Sequence, residues 1–105
     1  MDHSLFVHRN GRFALRVAGD IDVLTAPGFK AVLLEEAKRR RSPLVLDVSM
    51  VPFIDSMGLR VLFQVATTLR GGLVLLHPSP GVERLLRLTG AEQFPGFKVI
   101  YRRAA

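Results

Sequence analysis

Three short apolar runs, separated by segments of helical length, constrain the fold of this chain more than any other feature. The runs are LVLDV at 44–48, GLVLLHP at 72–78 and FKVIY at 97–101, and each has the length of a buried strand. Between the first two runs, apolar residues recur at helical spacing: Leu59, Leu62, Phe63, Ala66 and Leu69. A helix between two strands favours a crossover connection, which makes those strands parallel.

Residues with special backbone preferences mark where these elements begin and end. Ser79-Pro80 predicts a helix start, because serine caps a helix and proline suits its first position, and Gly90 predicts the end of that helix. Gly71-Gly72 predicts the end of the preceding helix. Thr25 is a predicted cap for a helix nearer the N-terminus.

The N-terminal part adds a hairpin to this pattern. SLFVHRNGRFALRVAG contains two strand-like segments joined at Asn10-Gly11, a dipeptide that favours a tight hairpin turn. The element order is then β-β-α-β-α-β-α-β, from which we expect one α/β domain over residues 1–105. Its sheet should be mixed, with an opening hairpin followed by β-α-β crossovers and packed helices. Because LVLDV is apolar apart from Asp47, we expect both faces of that strand to be covered.

The composition restricts the class of protein. Hydrophobic residues make up 49% of the 105 residues, enough for a core, and the absence of cysteine removes disulfides and thiol chemistry. No apolar run approaches the ~20 residues that cross a bilayer, and the N-terminal MDHSLFVHRN lacks the apolar stretch of a signal peptide. We therefore expect a soluble, cytoplasmic protein.

The positive charge leaves a second hypothesis open. The formal net charge is +6, and Lys38–Arg41 is the only true cluster of basic residues. A positive net charge favours an acidic partner, so one candidate function is electrostatic binding of nucleic acid or of a membrane surface. No aromatic residues interleave the cluster as a base-stacking platform requires, and a solvated surface explains most of the charge.

The segment FIDSMGLR at 53–60 carries the residues with the clearest potential for function. Asp55 and Ser56 lie where a loop enters a helix at the end of a strand, a place where function gathers in α/β sheets. Ser56 is the predicted N-cap, and its hydroxyl should face outward. Gly58 has two readings: it leaves the approach to Ser56 open, or it allows close packing of the helix on the sheet.

Three blocks of the sequence together resemble the STAS domain of bacterial anti-sigma factor antagonists. They are GDIDVLTAPGF at 19–29, LVLDVSMVPFIDSMGLRVL at 44–62 and GGLVLLHPSPGVERLLRLTG at 71–90. They occur in the family's order and spacing and extend over nearly the whole chain. The D-S-x-G-L core on its own is a weak signal, whereas the three blocks together are fairly specific.

The resemblance implies a regulatory binding protein without enzymatic activity or cofactor. In such antagonists, a partner anti-sigma factor that is also a serine kinase phosphorylates the serine after the aspartate, which is Ser56 here; this breaks the complex, and a phosphatase restores it. Met57 follows, where phosphorylated members usually carry a small hydroxyl residue. The expected partner-binding residues are Asp20, Asp22, Asp47, Asp55, Met57, Gly58 and Arg60. We expect a monomer when no partner is bound. The alternative is a STAS scaffold that works without phosphorylation in a transporter-associated or other multi-protein complex.

Enzymatic readings find little support in the residues. Ser56, His77 and either Asp47 or Asp55 could compose a hydrolase triad, but no G-x-S-x-G elbow accompanies them. The three histidines, His3, His8 and His77, lack metal-ligand spacing. The chain has no G-x-x-x-x-G-K-[ST] loop for the phosphates of a nucleotide.

Overall fold

A computed structural model describes residues 6–10, 14–39 and 43–102, and for residues 6–10 it describes the backbone alone. The described residues form five strands, three helices and one 3-10 turn. In chain order they are β1 Phe6–Asn10, β2 Ala14–Ala18, α1 Ala26–Arg39, β3 Leu44–Met50, α2 Ser56–Thr68, β4 Leu73–Leu76, α3 Pro80–Thr89, the 3-10 turn Ala91–Gln93, and β5 Phe97–Ile100. The predicted α/β class and element order are confirmed.

The sheet has its strands in sequence order, β1-β2-β3-β4-β5. β1 and β2 are antiparallel, whereas β2 through β5 are parallel, as expected for a hairpin followed by β-α-β crossovers. Asn10 pairs with Ala14 at the end of the hairpin. The predicted turn continues into Gly11, which lies outside the described residues.

All three helices lie on one face of the sheet. Right-handed crossovers that always advance to the next strand place every helix on the same side. The core accordingly joins alternate strand residues to one stripe of each helix: Leu15, Val17, Leu44, Leu46, Leu73 and Leu75 from the strands, with Phe29, Leu33, Leu62, Val65, Val82 and Leu86 from the helices.

The opposite face of the sheet carries no helix among the described elements. Arg16, Asp47, Leu76 and Ile100 lie side by side on it in one row across β2 to β5. On the same face of β3, Val45 and Ser49 are half-buried. The expectation that β3 is covered on both faces is therefore confirmed only in part, because Asp47 is buried on this face while Val45 and Ser49 beside it are half-buried.

The helix boundaries follow the sequence signals in α3 but not in α2. The Ser79 hydroxyl accepts from the N–H of Val82, and Gly90 ends α3 in the left-handed conformation, both as predicted. Helix α2 instead ends at Thr68, with an extended Leu69 after it. The expectation that Gly71-Gly72 would end α2 is wrong. A Cβ on Gly72 would come 2.5 Å from the carbonyl oxygen of Gly96, so glycine is needed there for close contact between backbone segments.

Candidate functional site

Two loops at one edge of the sheet run side by side and position the FIDSMGLR segment. The loop before α1 (residues 19–25) and the loop before α2 (51–55) exchange backbone hydrogen bonds. The N–H of Ile21 donates to the carbonyl of Phe53 at 3.0 Å, and the N–H of Asp55 donates to the carbonyl of Ile21 at 3.1 Å. Ile21 and Ile54 are buried and form a parallel bridge. The start of α2 is therefore fixed to a segment more than thirty residues earlier in the chain.

Asp22 organises the first of these loops. Its Oδ1 accepts from the N–H groups of Leu24 and Thr25, at 2.9 and 3.1 Å, in the turn that leads into α1. The Thr25 hydroxyl donates to the carbonyl of Asp20 and accepts from the N–H of Asp22. Thr25 directly precedes α1, and its carbonyl accepts from the N–H of Phe29 at 3.0 Å, while its hydroxyl belongs to the turn that Asp22 organises.

Asp55 caps α2 and at the same time ties the two loops together. One carboxylate oxygen accepts from the N–H of Gly58 at 2.9 Å, and the other accepts from the N–H of Val23 at 3.1 Å. Ser56 is then the first residue of the helix. The expectation that Ser56 is the N-cap is wrong, since the longer carboxylate before it reaches both N–H groups.

The residues that follow Asp55 divide into exposed and buried ones. Ser56, Met57 and Arg60 are exposed, whereas Gly58 is buried. A Cβ at Gly58 would lie 2.6 Å from the carbonyl oxygen of Ile21, closer than any side chain can approach. Of the two readings of Gly58, the structure supports close packing of α2 on the first loop.

Large apolar side chains are exposed on the two paired loops, at the end of β3 and at the start of α2, and we call this set of residues the apolar rim. It comprises Val23, Leu24, Met50, Phe53 and Met57, whose exposed fractions range from 42% to 64%. Large side chains at such exposure are a feature of protein-binding surfaces when they cluster. Of this set, sequence reasoning proposed only Met57. The other four belong to the two loops or to the end of β3, and it is the pairing of the loops that joins these segments.

The N-terminus of α3 supports the second loop from its other side. The Ser79 hydroxyl donates to the carbonyl of Val51 at 2.7 Å. Gly81 allows α3 to approach, since a Cβ there would come 2.9 Å from the carbonyl oxygen of Pro52. The loop that carries Phe53 and Asp55 is therefore held between the first loop and α3, and the apolar rim has a rigid base.

Asp47 lies apart from this site, on the face of the sheet without helices. It is 7% exposed, and one carboxylate oxygen is 3.6 Å from the Arg16 guanidinium. The other oxygen accepts from the N–H of Ser49 at 3.0 Å. Burial raises the pKa of Asp47, but the hydrogen bonds from Ser49 and the charges of Arg16 and His77 outweigh burial, so its pKa lies below the ordinary value.

The described residues do not form the hydrolase triad or the metal site that the sequence analysis considered. No hydrogen bond in the described chain joins Ser56 to His77, and both oxygens of Asp55 are occupied by backbone N–H groups. Within residues 6–10, 14–39 and 43–102 there is no group of three or more acidic, histidine or cysteine side chains placed for a metal. The same residues contain no helix of the length and apolarity needed to cross a bilayer.

The basic cluster is only partly visible. Lys38 and Arg39 are exposed at the end of α1, and Lys38 pairs with Glu35 at 3.4 Å. Arg40 and Arg41 lie outside the described residues, as does His3, and for His8 the backbone alone is described. The electrostatic hypothesis therefore stays a prediction.

An antiparallel pair followed by three parallel crossovers is the arrangement that the sequence predicted. The STAS domain family matches residues 5–103, nearly the whole chain. The chain belongs to this family.

Several known proteins are similar to the chain. A 53-residue stretch is 36% identical to the anti-sigma-F factor antagonist RsfB of Mycobacterium tuberculosis, covering 50% of this chain and 43% of that protein. The match therefore spans less than half the length of this relative. A crystal structure of an anti-sigma factor antagonist from Mycobacterium paratuberculosis superposes with a TM-score of 0.76 at 27% identity, over 95% of this chain and 86% of the other. The antagonist SpoIIAA in its unphosphorylated form has a TM-score of 0.65 at 16% identity, over 94% and 90% of the two chains, and at that identity it shows a shared fold alone.

Proposed function

We propose that this chain is an anti-sigma factor antagonist that binds a serine-kinase anti-sigma factor and is released when Ser56 is phosphorylated. In this role it is a regulatory binding protein, and the catalysis belongs to its partners, the kinase and a phosphatase. The observation that carries the proposal is an exposed serine at the start of α2, next to exposed apolar residues of the same helix and of the loop before it. The names of the similar proteins support the same role.

The apolar rim is the proposed docking surface. Val23 and Leu24 come from the first loop, Phe53 from the second and Met57 from α2, and Ser56 lies between Phe53 and Met57 in the chain. Aromatic and methionine side chains are enriched at such interfaces, and burial of them removes apolar area from water. Arg60 and the carboxylates of Asp20, Asp22 and Asp55 add charges around the apolar residues.

Phosphorylation would change this surface without disturbing the fold. The Ser56 hydroxyl makes no hydrogen bond to another described residue, and Asp55 supplies the cap that holds the helix. A phosphate adds about −1.5 to −2 charge units and a hydration shell. Placed inside the apolar rim, that charge would have to lose its water on docking, which opposes association.

The switch is tested with purified components. The protein is incubated with ATP and its cognate anti-sigma factor kinase, and the modified residue is mapped by mass spectrometry beside Ser56→Ala. Phosphate on Ser56, and none in the variant, is the expected result. If modification occurs on another residue or not at all, and if Ser56→Asp binds the partner as tightly as wild type, the switch is refuted.

The docking surface is tested separately with a matched pair of variants. Phe53→Ser removes a 52% exposed aromatic side chain from the apolar rim, and Leu88→Ser removes a 75% exposed leucine near the end of α3. Binding of the anti-sigma factor should weaken at least tenfold in the first variant and stay unchanged in the second. Equal effects in both variants would place the interface elsewhere.

A second role is favoured by one residue. Met57 is an exposed residue of the apolar rim and follows Ser56, at the position where phosphorylated members of the family usually carry a small hydroxyl residue. This difference favours a STAS scaffold that binds its partner without phosphorylation. Such a scaffold would bind its partner equally well as wild type, Ser56→Ala and Ser56→Asp. A pull-down from the source cell with these three proteins distinguishes the two roles.

A further inference from the structure

Arg60 lies one helical turn after Ser56 on the exposed side of α2. Residues four apart on a helix are neighbours, with Cβ atoms about 5 to 6 Å apart. Both side chains are exposed, and Leu59 between them is buried. The Arg60 guanidinium forms no salt bridge within the described part of the chain. A cation is thus placed beside the hydroxyl to which the phosphate would be attached.

We propose that Arg60 pairs with the phosphoryl group of phosphorylated Ser56 and holds it against α2. The inference rests on the proposed function, since it specifies what happens at the same serine once it is modified. An anion that precedes a cation by four residues has the favourable orientation for a helical pair. A guanidinium can also donate two parallel hydrogen bonds to phosphate oxygens, which an ammonium group cannot match.

The nearby carboxylates leave Arg60 available for this role. Asp55 uses one oxygen for the N–H of Gly58 and the other for the N–H of Val23. Asp22 belongs to the turn before α1, where its Oδ1 holds two backbone N–H groups. The first turn of α2 itself contains no acidic residue, so the phosphate would be the first anion on that face of the helix.

This pairing would weaken partner binding more than the charge of the phosphate would by itself. In the unmodified protein, Arg60 can reach a carboxylate on a partner that covers the apolar rim. In the modified protein, the same guanidinium is neutralised by the phosphate. One modification therefore adds negative charge to the surface and withdraws the positive charge that a partner could use.

The test places phosphoserine at position 56 during synthesis, so it needs no kinase. Phosphorus NMR then follows the second ionisation of the phosphate with pH in wild type, Arg60→Gln and Arg60→Lys. A nearby cation favours the dianion, so its midpoint should lie about 0.2 to 0.4 pH unit lower in wild type than in Arg60→Gln, the shift that a surface helical ion pair supplies. Arg60→Lys should be intermediate, and added salt should shrink the difference. Arg70→Gln, an exposed arginine beyond the other end of α2, is the control and should titrate as wild type.

The outcomes separate this inference from the proposed function. If Arg60→Gln is folded by circular dichroism and titrates as wild type, Arg60 does not hold the phosphate and the inference is overturned, whatever the kinase does. If the midpoint shifts as expected but the kinase never modifies Ser56, the contact is real and the proposed switch fails. Asp20, Asp22 and Asp55 are common to all the variants, so their effect on the titration cancels.

Discussion

At the start of α2, two neighbouring side chains have different tasks. Asp55 holds the backbone, through Gly58 and Val23, while the hydroxyl of Ser56 faces solvent and bonds to no other described residue. The separation lets the exposed position be modified without loss of the cap. A serine cap would have combined both tasks in one hydroxyl, and phosphorylation would then have competed with the helix for it.

The division of tasks predicts unequal effects of two alanine substitutions on stability. Asp55→Ala should lower the free energy of unfolding by about 1 to 2 kcal/mol, because it leaves the N–H groups of Gly58 and Val23 without their acceptor. Ser56→Ala should change it by less than about 0.5 kcal/mol. Urea denaturation measures both, and Asp55→Asn, which can still cap, is the control. A larger loss in Ser56→Ala than in Asp55→Ala would contradict the assignment of the cap.

Gly58 predicts a second pair of measurements. Gly58→Ala should destabilise the protein by roughly 1 to 3 kcal/mol, because the new methyl group would be 2.6 Å from the Ile21 carbonyl and the two loops would have to separate. Gly28→Ala is the matched control, since Gly28 lies in α1 with nothing within 4 Å of the added carbon. That change should stabilise the protein by about 0.5 to 1 kcal/mol, as alanine favours helix. Equal destabilisation by both changes would argue against close packing at Gly58.

At the scale of elements, β3 carries a buried charge on the face of the sheet opposite the three described helices. The pKa of Asp47 lies below its ordinary value of 3.8, because hydrogen bonds from Ser49 and the charge of Arg16 outweigh its burial. The ionised form therefore stabilises the folded state above that value. This contribution is lost as the pH falls through the lower, folded-state pKa.

The free energy of unfolding at acid pH tests whether ionised Asp47 stabilises the folded protein. Between about pH 5 and pH 2, the free energy of unfolding of wild type should fall more steeply than that of Asp47→Asn. Denaturant titrations at several pH values give both slopes. Arg16→Gln removes one of the favourable charges and should flatten the wild-type slope in part. Parallel curves for wild type and Asp47→Asn would show that Asp47 does not titrate differently in the folded state.

The sequence predicts elements better than it predicts the contacts between them. The strands, the three helices and the cap at Ser79 depend on residues that are close in the chain, and local patterns record them. The apolar rim depends on the bridge between Ile21 and Ile54, which lie 33 residues apart, so no local pattern in the sequence connects Val23 with Phe53. The glycines at 72 and 58 were misread or left open for the same reason, since the atoms that they must avoid, in Gly96 and Ile21, are distant in sequence.

For the whole molecule, Tyr101 at the end of the last described strand should make stability depend on pH in the alkaline range. Tyr101 follows β5 directly, its hydroxyl donates to a Glu92 carboxylate oxygen, and the Arg87 guanidinium lies 4.9 Å from its ring centre. Burial, together with the Glu92 hydrogen bond and charge, raises the pKa of Tyr101 to about 12. A raised pKa of this kind means that the neutral phenol stabilises the fold below the ordinary pKa of about 10, and that the contribution disappears as the pH rises through the folded value.

The ionisation of Tyr101 can be followed by absorbance without overlapping signals, because the chain has one tyrosine and no tryptophan. The ultraviolet absorbance of the phenolate should show a midpoint near pH 12 in the folded protein and near 10 in urea, since unfolding removes both the burial and the Glu92 contact. Glu92→Gln should lower the folded midpoint, because it removes the negative charge that opposes ionisation but keeps an acceptor for the hydroxyl. Glu83→Gln, which removes the acid that pairs with Arg87 at 2.9 Å, should have the smaller effect, as Glu83 is the weaker contributor at Tyr101. A folded midpoint equal to that in urea would mean that α3, the 3-10 turn and the end of β5 do not enclose Tyr101 as a single unit.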